Sequence, residues 1–254
     1  MPSSFIFSKW KITALDVGTL EFEKSVGTYL TNCGVKTKIH NVIFLLEEVG
    51  GRKKIVVDTG FESVERTIAV HGQQVWRSEK QQPLNALREA NVDPAHVEIA
   101  VLTHLHYDHS GNNGLFPNAR FIVQRKELQY AFAPLPGEET AYFSPLIGEK
   151  PSFWGTPFEV IEGDWKVTDG IRVIAAPGHT PGSQMVLVDT EKGVYCLAGD
   201  NAFYYENINK NIAVGHLYSR ADWFSSMLKA RQASDSILPS HDPLLFKTRP
   251  AVFP

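Results

Sequence analysis

Cys33 and Cys196 are the only cysteines in 254 residues, too few for a disulfide scaffold and too far apart for a Cys-x-x-Cys metal knuckle. Both are read as reduced, structural thiols. No segment approaches the uninterrupted apolar length that spans a bilayer, which argues against a membrane protein. The apolar residues between Met1 and Trp10 are cut short by Lys9 and Lys11 and followed by Asp16, so no signal-peptide core is expected and the cytoplasm is the simplest location. A formal net charge of -3 lacks the basic excess that draws a protein to phosphate backbones, and nucleic acid is not an expected partner. Internal repeats, low-complexity tracts and linker-like stretches are also missing, so one domain over residues 1–254 is expected, with an architecture of two similar β-rich halves also compatible.

What is present begins with an apolar content of 43%, ordinary for a buried core. Apolar runs rich in β-branched residues occur at Val42 to Leu46, Ile55 to Asp58, Ile99 to Thr103, Phe121 to Gln124, Val173 to Ala176, Met185 to Val188 and Val194 to Ala198. Each reads as a buried strand. Between the first two, Gly50 and Gly51 can take positive φ and close a hairpin, with Arg52-Lys53-Lys54 at a solvated tip. Helical spacing covers Pro83 to Ala90 and Ala221 to Ser234, the second opened in the region of Ser219 or Asp222. Residues 130–165 mix prolines such as Pro134 and Pro145 with aromatics such as Phe143 and Trp154. This reads as a long ordered loop, serving either to cover a site or to pack aromatics onto the body.

Chemistry concentrates in Thr103-His104-Leu105-His106-Tyr107-Asp108-His109, directly after the run Ile99 to Leu102. If the chain is still extended there, His104 and His106 point to one side and can grip one ion, with Asp108 and His109 on the turn beyond. With nine histidines in the chain, a chance match to His-x-His-x-Asp-His is expected on the order of once in a few thousand such sequences. Accident is therefore a poor explanation. A single histidine after a strand would be weak evidence, but the arrangement repeats. His179 follows Val173 to Ala176, Asp200 follows Val194 to Ala198 through Gly199, and His241 follows Ile237-Leu238-Pro239-Ser240. The Asp200 carboxylate is a suitable bridge between two cations. His71 and His96 lie in polar stretches and are read as solvated. For His40, His216 and Tyr107 a structural and a substrate-facing role both stay open.

Taken together, the His104 to His109 motif, His179 in Gly-His-Thr-Pro-Gly, Asp200 after Gly199 and His241 in Ser-His-Asp resemble the ligand set of the metallo-β-lactamase superfamily. Asp58 in Val57-Asp58-Thr59-Gly60 matches its early aspartate, which supports the ligand loops without binding metal. The resemblance implies a four-layer αβ/βα sandwich, two mixed sheets face to face with helices outside and the site along one edge. It implies that His104, His106 and His179 hold one metal, that Asp108, His109 and His241 hold a second, and that Asp200 bridges them. Two divalent ions are expected, zinc first, although manganese, iron and cobalt accept similar donors.

The opening Ala14-Leu15-Asp16-Val17-Gly18-Thr19-Leu20, and His106-Tyr107-Asp108-His109-Ser110-Gly111-Asn112-Asn113-Gly114, resemble the N-acyl-homoserine lactonase branch. That branch implies a quorum-quenching hydrolase in which a metal-bridging hydroxide opens a small lactone ring, in a chain that is compatible with a homodimer. Asp108 is the candidate proton carrier to the leaving group. Lactonases of this kind carry a tyrosine shortly after the bridging aspartate, where this chain has Phe203, with Tyr204 and Tyr205 next. Tyr204 is the candidate oxyanion donor. The rival readings are a hydrolase of another small lactone, ester or cyclic amide, and a mononuclear iron oxygenase acting on a thiol. A binding protein that kept the fold without its chemistry is disfavoured, because so many buried ligating groups would lie unpaired without a cation.

Overall fold

A computed structural model describes residues 8–247 and 251–254; of the stretch from Met1 to Trp10, the first seven residues lie outside the described ones. The strands in chain order are β1 (Trp10–Glu23), β2 (Lys36–Glu48), β3 (Lys54–Val57), β4 (Val75–Trp76), β5 (Ile99–Val101), β6 (Arg120–Gln124), β7 (Phe158–Ile161), β8 (Trp165–Thr168), β9 (Ile171–Ala175), β10 (Gln184–Thr190), β11 (Gly193–Leu197), β12 (Ser236–Leu238) and β13 (Val252–Phe253). They form two sheets, one ordered β13-β1-β2-β3-β5-β6-β7 with β4 beside β1, the other ordered β12-β11-β10-β9-β8. Both are mixed: β3, β5, β6 and β7 pair in parallel, as do β11 and β12, and the remaining pairs are antiparallel.

The side-chain alternation of the strands sorts the core into layers. Trp10, Ile12, Val42, Phe44, Ile55 and Val57 of the first sheet meet Ile171, Val173, Val186, Val188 and Leu197 of the second. The opposite face of the first sheet, with Ile43, Leu45 and Val56, packs on Ala86 and Leu87 of the helix Pro83–Glu89. The outer face of the second sheet, with Met185, Leu187 and Cys196, packs on Trp223, Met227 and Ala230 of the helix Arg220–Ala233. Each fully buried Val, Leu, Ile, Phe or Met among them contributes about 1.5–3 kcal/mol by leaving water. The result is the four-layer sandwich expected from the sequence.

Several boundaries differ for identifiable reasons. β1, the longest strand at 14 residues, contains no continuous apolar run because polar residues alternate along it, and a register shift between Asp16 and Gly18 adds a bulge. Residues 130–165 are not loop throughout: they include the end of the helix Arg125–Phe132, the short helix Glu139–Tyr142, a 3-10 turn at Pro145–Ile147 and β7. The late helix opens at Ser219, whose hydroxyl accepts from the Asp222 N–H. Among the described residues no helix is long and apolar enough to cross a membrane.

Strand direction places the chemistry. β3 and β5 run parallel, and β9, β11 and β12 share one direction because β9 and β11 are both antiparallel to β10. The C-terminal ends of these strands, from both sheets, lead into Asp58, the His104 to His109 segment, His179, Asp200 and His241.

Candidate metal centre

The seven side chains singled out in the sequence converge, and donor atoms of three groups lie within 4.8 Å of one another: His104, His106 and His179; His104, His109 and Asp200; and Asp108, His109 and His241. In the first pocket His106 Nδ1 is 3.1 Å from both His104 Nε2 and His179 Nε2. Two nitrogens bound to one tetrahedral zinc at 2.0–2.1 Å would stand about 3.3 Å apart, so this spacing fits a shared ion. In the second pocket Asp108 Oδ2 is 3.6 Å from His109 Nε2 and 3.9 Å from His241 Nε2. Asp200 faces both: Oδ1 is 3.1 Å from His109 Nε2 and 2.9 Å from His241 Nε2, while Oδ2 is 3.6 Å from His179 Nε2.

Local structure aims these atoms. The chain leaves β5 after Val101, and His104 and His106 come together in an irregular segment rather than by strand alternation. The helical turn Tyr107–Ser110 starts earlier than the small residues Ser110 to Asn112 suggested, and it carries Asp108 and His109 inward. Gly199 takes φ +51°, and a Cβ there would lie 2.7 Å from Thr103 Cβ, so only glycine lets Asp200 approach the histidine segment. Asp58 also leaves its strand with positive φ, +64°. Its carboxylate accepts from the Thr103 N–H at 2.7 Å, the Thr103 hydroxyl at 2.9 Å and His109 Nδ1 at 2.8 Å.

Imidazole orientation follows from such anchors. His104 Nδ1 lies 3.0 Å from Thr103 Oγ1, His179 Nδ1 donates to the His216 carbonyl at 2.8 Å, and His241 Nδ1 donates to the His40 carbonyl at 2.7 Å. With Nδ1 engaged, each Nε2 is left for the centre. Burial pushes His104 and His106 well below the ordinary histidine range and His179 down to about 3, so all three are neutral donors. Burial opposes protonation of His109 and His241 as well, but Asp200 leads the carboxylates that raise both. Burial raises Asp108, whereas Asp200 is held well below the carboxylate range, burial being outweighed by His109 and His241. Buried Nε2 atoms of His109 and His241 make no hydrogen bond despite the nearby Asp200 oxygen. Orphaned nitrogens beside carboxylates, all buried, fit divalent cations.

A cleft of about 670 Å³ opens over His106, Asp108, His179 and Asp200. Phe203 lines it, with its ring 4.8 Å from that of His241 and 6.0 Å from that of His179. Tyr204 does not line it. Tyr204 packs at the helix Lys24–Gly27, where a Cβ on Gly27 would meet its ring at 2.5 Å and the Phe203 Cβ at 3.1 Å, and the two aromatic rings lie 6.3 Å apart. The oxyanion role expected of Tyr204 is therefore corrected. His71 is corrected too: it ends the helix Val64–His71, lines the cleft and packs 4.8 Å from the Tyr107 ring, and burial pushes it down to about 4. His96 is exposed, as expected, and so are Arg52 and Lys53.

His216 lines the cleft and stacks on His106 at 5.4 Å and 11°. Tyr107 also faces the cleft and donates to Gln73 Oε1. His40 serves His241 through its backbone, with its ring 2.9 Å from Asp16. Reading the sequence alone missed Thr103, Asn201, Ser240 and Glu127. Asn201 Oδ1 accepts from the His179 N–H at 3.2 Å, and Ser240 donates to Asp200 Oδ1 at 2.8 Å. Adjacency to a ligand was the one available signal for the first three; Glu127 gave none.

Comparison with known proteins agrees with this geometry. The model of the metallo-beta-lactamase superfamily matches residues 37–241. The chain is 32% identical over 178 residues to an N-acyl homoserine lactonase of a Bacillus species, with 66% of each chain covered. It is 33% identical over 168 residues to the N-acyl homoserine lactonase AttM of Azorhizobium caulinodans, with 62% of each covered. The chain thus spans just under two thirds of the length of these curated relatives. A solved N-acyl homoserine lactone hydrolase, with the product N-hexanoyl-L-homoserine bound at its catalytic metal center, shares the fold with a TM-score of 0.78 at 23% identity, over 95% of this chain and 96% of that one.

Proposed function

The chain belongs to the metallo-beta-lactamase superfamily, and from that premise we propose that it is a dinuclear metal-dependent hydrolase opening small lactone rings, N-acyl homoserine lactones first among them. The relatives named above, themselves N-acyl homoserine lactonases, support the substrate class. The observation that carries the reading is the convergence of seven donor side chains with the Nδ1 atoms of His104, His109, His179 and His241 tied back and their Nε2 atoms turned inward.

His104, His106 and His179 would hold one cation, Asp108, His109 and His241 the other, and Asp200 both; zinc is the proposed metal. When bound, two such ions supply Lewis acidity for a carbonyl oxygen and activate water near neutral pH. Asp108 lines the cleft, and its carboxylate would take a proton from the attacking water and pass it to the leaving alkoxide. Phe203 and Tyr107 line the cleft with aromatic surface against which an apolar part of a substrate would pack. Phe203 brings no hydroxyl to that wall, an observation that favours a second reading in which another small lactone, ester or cyclic amide is the better substrate.

The test is proton release from a panel of lactones differing in ring and acyl chain, with elemental analysis of the same protein. Two metals per chain and turnover of acyl homoserine lactones, abolished by a chelator and restored by metal, are expected. Turnover confined to other cyclic esters or amides would select the second reading. One iron per chain with oxygen consumption would replace both by an oxygenase.

A further inference from the structure

Glu127 is wholly buried, belongs to neither cation pocket and takes no part in the chemistry above. Burying a carboxylate costs several kcal/mol, and an apolar side chain of similar volume would fill the space at no such cost. Its hydrogen bonds explain its presence. Oε1 accepts from the Leu105 N–H at 2.9 Å and the Tyr142 hydroxyl at 3.0 Å, and Oε2 accepts from the Thr180 hydroxyl at 2.5 Å. Leu105 lies between His104 and His106, the Tyr142 ring packs 4.5 Å from that of His106, and Thr180 follows His179. Gly182 permits the approach, since a Cβ there would lie 2.0 Å from the Glu127 nitrogen.

The second pocket is braced by other groups. His109 is tied to Asp58, His241 to the His40 carbonyl, and the Asp108 carbonyl accepts from Asn41 at 2.8 Å. None of the hydrogen bonds to Glu127 reaches that pocket. We propose that Glu127 is a positioning residue that sets the cation affinity of the His104, His106 and His179 pocket alone, by clamping its two chain segments together. The proposal rests on the two-cation reading given above.

The experiment isolates each pocket and titrates the metal-free protein with Co²⁺, following heat and the visible absorption of the bound ion. In a His241→Ala background, which keeps the three-histidine pocket, Glu127→Gln is expected to weaken Co²⁺ binding about 10–100-fold and to alter the absorption bands. In a His179→Ala background, which keeps the other pocket, the same substitution is expected to change affinity less than about threefold. Thr180→Val, which removes a single arm of the clamp, is expected to repeat the pattern in smaller measure, and it carries the test should Glu127→Gln not fold. Equal weakening in both backgrounds, or none in either, overturns the proposal while leaving two cations in the parent protein. A parent protein that binds fewer than two Co²⁺ overturns the two-cation reading, and this inference with it.

Discussion

The two cation pockets share a residue type and differ in charge. In one, His104, His106 and His179 are neutral, burial being the dominant influence on each. In the other, His109 and His241 are raised against that same burial by carboxylates, Asp200 first. Imidazole character at this centre is thus set by distance to a carboxylate rather than by burial, which is complete on both sides. The neutral pocket offers three ready lone pairs, while the charged one holds ion pairs that a cation would replace. Asp200 is the hinge of the difference, because its Oδ1 faces the charged pocket and its Oδ2 the neutral one.

Removing that hinge should break the comparison most severely. Asp200→Ala strips the charged pocket of its main counter-ion and both pockets of a donor. Breaking a buried pair costs about 3–5 kcal/mol, equivalent to about 10²–10⁴-fold in binding or rate. Elemental analysis should find less than one metal per chain, and lactone hydrolysis should fall within that range or below it. Retention of two metals with full turnover would show that the pockets do not depend on a common carboxylate.

A smaller effect tests whether the neutral side extends beyond the donors. His71 lines the same cleft, and burial pushes it down to about 4 from an ordinary 6.5. Its neutral form is favoured by folding, so its contribution is intact above pH 6.5 and is lost as pH falls toward 4. That difference amounts to about 3 kcal/mol. Chemical unfolding of metal-free protein across this interval should show wild type losing stability more steeply than His71→Gln. Parallel curves would mean that His71 is as solvated as its polar sequence context suggested.

Much of this was legible in the sequence. His104, His106, Asp108 and His109 occur in one segment, and His179, Asp200 and His241 each stand just past an apolar run, so order along the chain revealed the edge on which they meet. β5 and β10, read from apolar runs, are buried along nearly their whole length, and the runs at β9 and β11 were legible although parts of those strands are exposed or half-buried. β1 was not, because an alternating strand with a bulge does not look like a run. His71 was misread for a related reason: polar neighbours in sequence say little about the environment at a helix end, where Gly72 in a left-handed turn caps the helix and the last side chain meets Tyr107. Glu127 was invisible, since its partners Leu105, Tyr142 and Thr180 come from three separate segments and no local pattern marks a buried acceptor.

The smallest expected effect concerns Tyr204, whose ring lies 6.3 Å from that of Phe203 but which, unlike Phe203, does not line the cleft. Phe203 packs on a histidine of each pocket, so it touches the neutral and the charged side at once. Tyr204 lies behind it, with Lys24 Nζ 5.4 Å from its ring and the helix Lys24–Gly27 against it. A hydroxyl outside the lining of the cleft is not expected to meet an oxyanion formed there. Tyr204→Phe is therefore expected to change kcat/KM for a lactone by less than about twofold, within the range of substitutions that touch no reacting group. Phe203→Tyr, which puts a hydroxyl on a residue that lines the cleft, should move kcat/KM by more than Tyr204→Phe does. A large loss in Tyr204→Phe with Phe203→Tyr silent would require the backbone here to turn over when substrate binds, carrying Tyr204 into contact with both pockets.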